Sequence, residues 1–199
     1  MYLAISLRMA GRTKPTLPCN HLLQPHIARL AVHAFDDAGV TVMKRCTFVR
    51  PHPGSIFDQE TLRQHGQILG RAFKEGEPAG DVWAWFRSQA AAASMIISHN
   101  RQHDLAALAV MAARAACHDL VPAAPWFCTA STAAAVLQDS WPIRPNLTLR
   151  GAKEARISLD DCRSHFLGGQ GPTTNDPLDE TLTISRLWRC LHGQRKALS

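Results

Sequence analysis

Apolar and polar residues follow two different periods along this chain, and together they predict short strands and amphipathic helices. An apolar run of strand length, YLAISL, occupies positions 2–7. Two further runs, HIARLAVHAF and VTVMKRCTFVR, flank an Asp-Asp-Ala-Gly turn at 36–39, which predicts a β-hairpin. Apolar residues recur at helical spacing over 58–69 and 79–93, and the glycine- and proline-marked turn KEGEPAG separates these two helices.

The second half of the chain continues this alternation. The predicted elements are a strand at 95–98, a helix over about 102–117, a short strand in WFCTAS, a helix at 130–137, a proline-rich irregular segment at 139–148, a helix between Ser158 as N-cap and Gly168 as its end, and a final helix at 176–192. The order β, β-hairpin, α, α, β, α, β, α, α, α predicts an α/β fold with a mixed sheet and helices on its faces. We predict a single domain over 1–199, with a core of about 2–192 and a short basic tail at 193–199.

Charge is concentrated near the start of the chain. The formal net charge is +6 with a pI near 9.3, and the first fifty residues hold seven Lys/Arg against two Asp/Glu. An anionic partner is therefore plausible, with nucleic acid as the first candidate. The alternative is that a mildly basic balance serves only solubility.

Cysteine spacing and hydropathy exclude several classes of protein. The six cysteines contain no Cys-x-x-Cys pair, which argues against a zinc ribbon or a redox motif. Neither a signal-peptide pattern nor an apolar segment of roughly 18 residues is present, so a membrane span is not expected. We predict a cytoplasmic protein with free thiols.

The most informative segment is SMIISHNRQHDLAAL, residues 94–108. A strand that ends in His99-Asn100 and is followed by Asp104 at the start of a helix would place that carboxylate at a strand-to-helix turn, facing a cleft. The segment resembles the third motif of the DEDD-type (DEDDh) 3′-to-5′ exonucleases, whose fold is ribonuclease H-like. In that family the aspartate helps to bind metal.

Other features resemble the same family in the same order along the chain. They are RQHGQIL with His65-Gly66, EGEPAGDVWAWF, PWFCTAS, ISLDDCRSHFLG and TTNDPLDETLTISRLW. The resemblance runs from Tyr2 to about Leu191 and implies a ribonuclease H-like, exonuclease-type α/β fold.

The family's chemistry uses four carboxylates to hold two divalent cations about 3.5 to 4 Å apart, with a histidine as general base. At the positions of its first-strand Asp-x-Glu this chain has Ser6 and Arg8. Asp104 is retained, whereas Asn175 stands at the position of the histidine and Glu180 at that of the last aspartate. By resemblance, the degenerate catalytic positions are therefore these five residues.

Electrostatics argues against two-metal catalysis at such a site. The changes to Ser6 and Arg8 raise the local charge by three units, and a guanidinium beside a divalent ion costs on the order of 8 kcal/mol at 4 Å and an effective dielectric near 20. Asn175 cannot accept a proton as imidazole does. We expect Arg8 to occupy the vacated space and to pair with Asp104 and Glu180.

The resulting prediction is a catalytically inactive exonuclease-like protein, a pseudoenzyme without a cofactor, that acts as a nucleic-acid-binding or regulatory partner. The residues predicted to contact single-stranded DNA or RNA are Arg8, Arg12, Lys14, His65, His99 and Asn100.

Two alternatives remain open. In the first, the protein is an active exonuclease that binds Mg2+ or Mn2+ through Asp104 and Glu180, with Asp176 or Asp179 as a further ligand. In the second, it is a protein-interaction module with a protein partner and no role for nucleic acid.

The aromatic residues at 83–86 could stack on bases, but their spacing is more typical of core packing.

Overall fold

The computed structural model describes residues 1–115, 123–137, 157–169 and 176–198, with side chains up to 193. A six-stranded mixed sheet in the order β4-β3-β2-β1-β5-β6 forms its centre. The strands are β1 (Tyr2–Ala10), β2 (His26–Phe35), β3 (Thr41–Arg50), β4 (Glu77–Pro78), β5 (Met95–Ser98) and β6 (Trp126–Cys128). The first three strands are antiparallel neighbours, whereas β5 runs parallel to β1 and β6 parallel to β5.

Six helices flank the sheet. They are α1 (Gln59–Glu75), α2 (Ala79–Ala91), α3 (Arg101–Arg114), α4 (Thr129–Leu137), α5 (Leu159–Phe166) and α6 (Pro177–Leu198). The predicted α/β class, the hairpin and the Ser158 N-cap are confirmed. Strand β4 was not predicted, because this two-residue pairing with Val49 and Arg50 lies within the segment interpreted as a turn. The predicted irregular segment at 139–148 lies outside the described residues, and no helix in the described part is long and apolar enough to cross a membrane.

Alternation along β1 separates two packing layers. Leu3, Ile5 and Leu7 point to the layer that contains α2 and α3, where Trp83 and Phe86 are completely buried. These two aromatics therefore pack in the core and are not available to stack on bases. On the other face, Tyr2 and Ala4 pack in the layer of α6 with Leu187, Trp188 and Leu191.

The end of β1 leads into a long connection. The register with β2 shifts between Arg8 and Met9, and Ala10 packs against α1. Gly11 follows with a φ of +94°, a conformation that L side chains rarely adopt. The chain therefore turns away from the sheet at Gly11, and residues 11–25 connect β1 to β2 outside the regular structure.

Two glycines of the α1 region provide a matched stability test. At Gly76, which caps α1, an added Cβ would collide with the Ala72 carbonyl oxygen and lie 2.6 Å from the Arg50 backbone nitrogen. We expect Gly76→Ala to lower the free energy of unfolding by about 1–3 kcal/mol. Gly70, inside the helix, has no atom within 4 Å of such a Cβ. Gly70→Ala should raise the free energy of unfolding by about 0.5–1 kcal/mol in denaturant titrations, and equal effects would contradict this packing.

His26 predicts how stability depends on pH. Burial lowers its pKa to about 4, although its Nε2–H donates to the Val49 carbonyl at 2.8 Å. The unfolded chain binds this proton more readily than the folded protein does. The contribution of His26 to the free energy of unfolding is therefore fully present above pH 6.5 and is lost as the pH falls toward 4, by up to about 3 kcal/mol. His26→Gln, which keeps an amide donor, should lose this part of the pH dependence of unfolding. If the free energy of unfolding depended on pH in the same way in the wild type and in His26→Gln, this role of His26 would be contradicted.

Candidate functional site

Three chain segments converge where β1 approaches the N-termini of α3 and α6. Ser6 and Arg8 lie two residues apart on β1 and therefore point to the same face, toward α6. Asp176 precedes α6, where its carboxylate accepts the Leu178 N–H at 2.8 Å and its carbonyl accepts the Glu180 N–H at 3.1 Å. This cap sets the start of α6 and places Glu180 in its first turn, against β1.

Arg8 and Glu180 form a bidentate ion pair across this junction. The Arg8 Nη1 and Nη2 atoms donate to Oε2 and Oε1 of Glu180 at 2.8 and 2.7 Å. The Ser6 hydroxyl donates to the same Oε2 at 2.6 Å. The side chains of Arg8 and Glu180 are 30% and 22% exposed, so the pair is partly shielded from water. Both oxygens of Glu180 are thus engaged by the residues at the first-strand positions.

Asp104 lies at the neighbouring helix end and is buried. Its carboxylate is 3.4 Å from Nδ1 of His103, and its backbone N–H donates to the Asn100 carbonyl at 3.0 Å. The Asn100 side chain caps α3 by accepting the His103 N–H at 3.4 Å. The ion pair predicted between Arg8 and Glu180 is therefore confirmed. The predicted partner of Asp104 was also Arg8, but the side-chain contact that the structure shows for Asp104 is with His103.

His99 uses both ring nitrogens inside the protein. Nε2–H donates to the Ile157 carbonyl at 2.9 Å, and Nδ1 accepts from the Thr129 hydroxyl at the same distance. Burial lowers its pKa, while the charges of Asp104 and Glu180 raise it, so both carboxylates lie close to this ring. His99 therefore ties α4 and the start of α5 to the site. Its ring nitrogens are not presented to a ligand.

A second ion pair that sequence reasoning missed lies beside the first. Arg29 of β2 is 3.4 Å from the Asp176 carboxylate, and its guanidinium lies 5.1 Å from the centre of the Phe48 ring. Burial raises the pKa of Cys46, and the charges of Arg29, Asp176 and Arg8 all act on this thiol, so the two pairs are neighbours. The signal was present in the sequence, because Arg29 is the single Lys, Arg, Asp or Glu in a strand that is apolar apart from its two histidines.

A cleft of about 470 Å³ opens beyond the end of β1, between the connection 11–25 and α1. Arg12, Lys14 and His65, three of the residues predicted to contact nucleic acid, all line it. Asp58 and Glu60 also line it, but Asp58 accepts the Thr61 N–H at the start of α1, and Glu60 pairs with Arg63 of the same helix. Within the described residues, the Arg12 and Lys14 side chains form no salt bridge or hydrogen bond. The two cations therefore form no direct ion pair within this part of the chain, although Asp58 and Glu60 lie near enough for the charges of Lys14 and Arg12 to act on them.

The described residues do not form a metal site. No group of three His, Cys, Asp or Glu side chains in this part of the chain could hold a metal ion. Both oxygens of Glu180 are engaged by the guanidinium of Arg8. Asn175, which the resemblance predicts at the position of the family's general base, lies outside the described residues. The residues present therefore do not fit a pair of divalent cations.

Comparison with known proteins identifies the fold. No protein-family model and no curated protein sequence matches the chain. Escherichia coli exonuclease I in complex with a dT13 oligonucleotide matches 99% of the chain with a TM-score of 0.73 at 13% identity, and its complex with a dA16 oligonucleotide matches 96% with a TM-score of 0.67. Exonuclease I from Methylocaldum szegediense has a TM-score of 0.69 at 11% identity over 98% of the chain.

The chain has an exonuclease I-like α/β fold. This confirms the predicted architecture of a mixed sheet flanked by helices. The chain spans about 42% of the length of the dT13-bound exonuclease I. At sequence identities of 11–13%, the similarity establishes the fold and nothing further.

The ion pair can be tested by a double-mutant cycle. We expect Arg8→Met to lower the free energy of unfolding by about 2 kcal/mol, because it leaves a partly buried carboxylate without its charged donors. Combined with Glu180→Gln, the two changes should show a coupling of about 1–2 kcal/mol in denaturant titrations. Arg63→Met removes an exposed pair on α1 and should produce no measurable change. Additive effects of the Arg8 and Glu180 changes would show that the pair does not stabilise the fold.

Proposed function

We propose that this protein is a catalytically inactive, exonuclease-like protein that binds single-stranded nucleic acid along the surface leading from Arg8 to the cleft. The observation that carries the proposal is the bidentate contact of the Arg8 guanidinium with Glu180. It supplies a protein-borne positive charge at a position where the exonuclease pattern has a carboxylate.

Charge explains why this arrangement opposes metal-dependent cleavage. A divalent ion bound to Glu180 would have to displace three hydrogen bonds from Arg8 and Ser6. If the guanidinium stayed nearby, repulsion would cost on the order of 8 kcal/mol at an effective dielectric near 20. The sequence adds Asn175, whose amide cannot act as a general base near neutral pH. The proposed role is therefore binding, with no bond-breaking step assigned to any residue.

Three observations support nucleic acid as the ligand. Two of the similar solved structures are complexes with dT13 and dA16 oligonucleotides. The chain carries a formal net charge of +6. The cleft has a volume typical of small-ligand sites, about 300–1,000 Å³, and presents Arg12 and Lys14 without a direct ion pair to any described residue. We assign these two cations to phosphate contacts and His65 to the wall of the cleft, while His99 and Asn100 shape the adjacent helix start.

The binding proposal predicts a specific salt dependence. Affinity for a fluorescent single-stranded oligonucleotide should fall linearly with the logarithm of salt concentration, and each of Arg12→Ala and Lys14→Ala should reduce the slope by about 0.7. Arg71→Ala, at an exposed arginine of α1 outside the cleft, is the matched control and should leave the slope unchanged. Absence of salt-dependent binding would overturn the proposal and favour a protein-interaction module.

Inactivity is tested separately with Mg2+ and Mn2+. We expect no cleavage of single-stranded DNA or RNA by the wild-type protein. Cleavage that depends on either metal and disappears in Asp104→Ala would show that the protein is a working exonuclease. The variant Ser6→Asp/Arg8→Glu restores the first-strand carboxylates and should bind Mn2+ more tightly than the wild type in calorimetry. Equal Mn2+ affinity would contradict the view that Arg8 excludes the metal.

A further inference from the structure

Arg114, in the last turn of α3, lies half-buried beneath the connection between β1 and β2. Its Nη1 atom donates to the Pro25 carbonyl at 3.2 Å. Its Nη2 atom donates to the carbonyls of His21, Leu22 and Gln24 at 3.0, 3.4 and 2.8 Å. The Arg114 side chain thus donates hydrogen bonds to four backbone carbonyls within five consecutive residues, 21–25. The His21 carbonyl also accepts the Gln24 N–H and the Leu22 carbonyl the Ile56 N–H, whereas the guanidinium is the donor shown for the carbonyls of Gln24 and Pro25.

Gln24 extends this network to the cationic part of the connection. Its side chain is only 5% exposed, and its amide nitrogen donates to the carbonyls of Lys14 and Leu17, both at 2.9 Å. Its amide oxygen accepts the Lys14 N–H at 3.1 Å. Both backbone polar groups of Lys14 are therefore fixed by Gln24, whose own carbonyl is fixed by Arg114.

The composition of the connection explains why it needs such an internal anchor. Residues 11–25 contain three prolines, which cannot donate backbone hydrogen bonds, and this segment pairs with no strand. The planar fork of an arginine can donate to several acceptors at once, which a lysine ammonium cannot do in the same geometry. The positive charge also suits the C-terminal end of α3.

We propose that Arg114 is a positioning residue for the cleft. By holding the carbonyls of residues 21–25, and through Gln24 the backbone of Lys14, it fixes where Arg12 and Lys14 present their charges. Helix α3 thereby connects the ion-pair site to the cleft, because Asp104 lies in its first turn and Arg114 is its last residue. The inference rests on the proposed binding of nucleic acid at the cleft, and it adds the residue that orders the phosphate-contacting segment.

The test uses Arg114→Lys, which keeps the charge and removes the fork, and Gln24→Glu, which keeps the shape and removes the amide donor. Both should weaken oligonucleotide binding about tenfold and reduce the salt slope by about 0.7 to 1.4, since one or two phosphate contacts are lost. Hydrogen exchange of residues 12–24 should accelerate in both variants while the sheet stays protected. Arg71→Lys, on the surface of α1, is the control and should change neither measurement.

A double-mutant cycle separates positioning from general stabilisation. In an Arg12→Ala/Lys14→Ala background, Arg114→Lys should cost less than twofold in affinity, because the side chains that it positions are absent. A full tenfold loss in that background would overturn the inference. Exchange of residues 12–24 decides the matter even if the wild-type protein binds no oligonucleotide: unchanged exchange in Arg114→Lys overturns the inference, whereas lack of wild-type binding with accelerated exchange overturns only the proposed function.

Discussion

The ion pair between Arg8 and Glu180 is the contact on which the site depends. It joins the first strand to the last helix, two residues that lie 172 positions apart in the chain. Hydrogen bonds to charged groups stabilise by about 1.5–3 kcal/mol, more than ordinary ones, and here the Ser6 hydroxyl adds a third donor to the same carboxylate. Because α6 packs along β1 through its apolar face, the charged contact lies at the end of a hydrophobic interface and fixes its register.

Charge compensation changes along the surface that leads away from this pair. Arg8 and Arg29 are both paired with carboxylates at the start of α6, so neither is an uncompensated positive charge. Further out, Arg12 and Lys14 line the cleft near Asp58 and Glu60 but form no direct ion pair among the described residues. Cations that are already paired hold the protein together, while unpaired ones attract ligand anions and release counter-ions on binding. Under the proposed function, the inner arginines are structural and the outer cations contact the ligand.

Periodicity predicted most of the fold because the strands and helices bury one face each. The alternation of β1 and the N-cap at Ser158 are local signals, and both agree with the structure. Strand β4 is too short to have a period, since its pairing with β3 depends on tertiary packing. The role of Arg114 could not be predicted for a similar reason. Its partners are loop carbonyls about 90 positions away, and backbone acceptors leave no pattern in side-chain identity.

The same electrostatics makes the Arg8–Glu180 arrangement difficult to reverse one residue at a time. Changing Arg8 alone to a glutamate would place two carboxylates at a partly shielded position, where like charges at 4 Å repel by about 4 kcal/mol at an effective dielectric near 20. That repulsion is relieved when a cation binds or when one carboxylate takes up a proton, and the family's metal site also uses a carboxylate at position 6, where this chain has Ser6. The protein with Arg8→Glu alone would therefore be less stable than the one with the ion pair. Arg8 and Glu180 therefore stabilise the folded protein as a pair, and changing the charge of Arg8 alone lowers its stability.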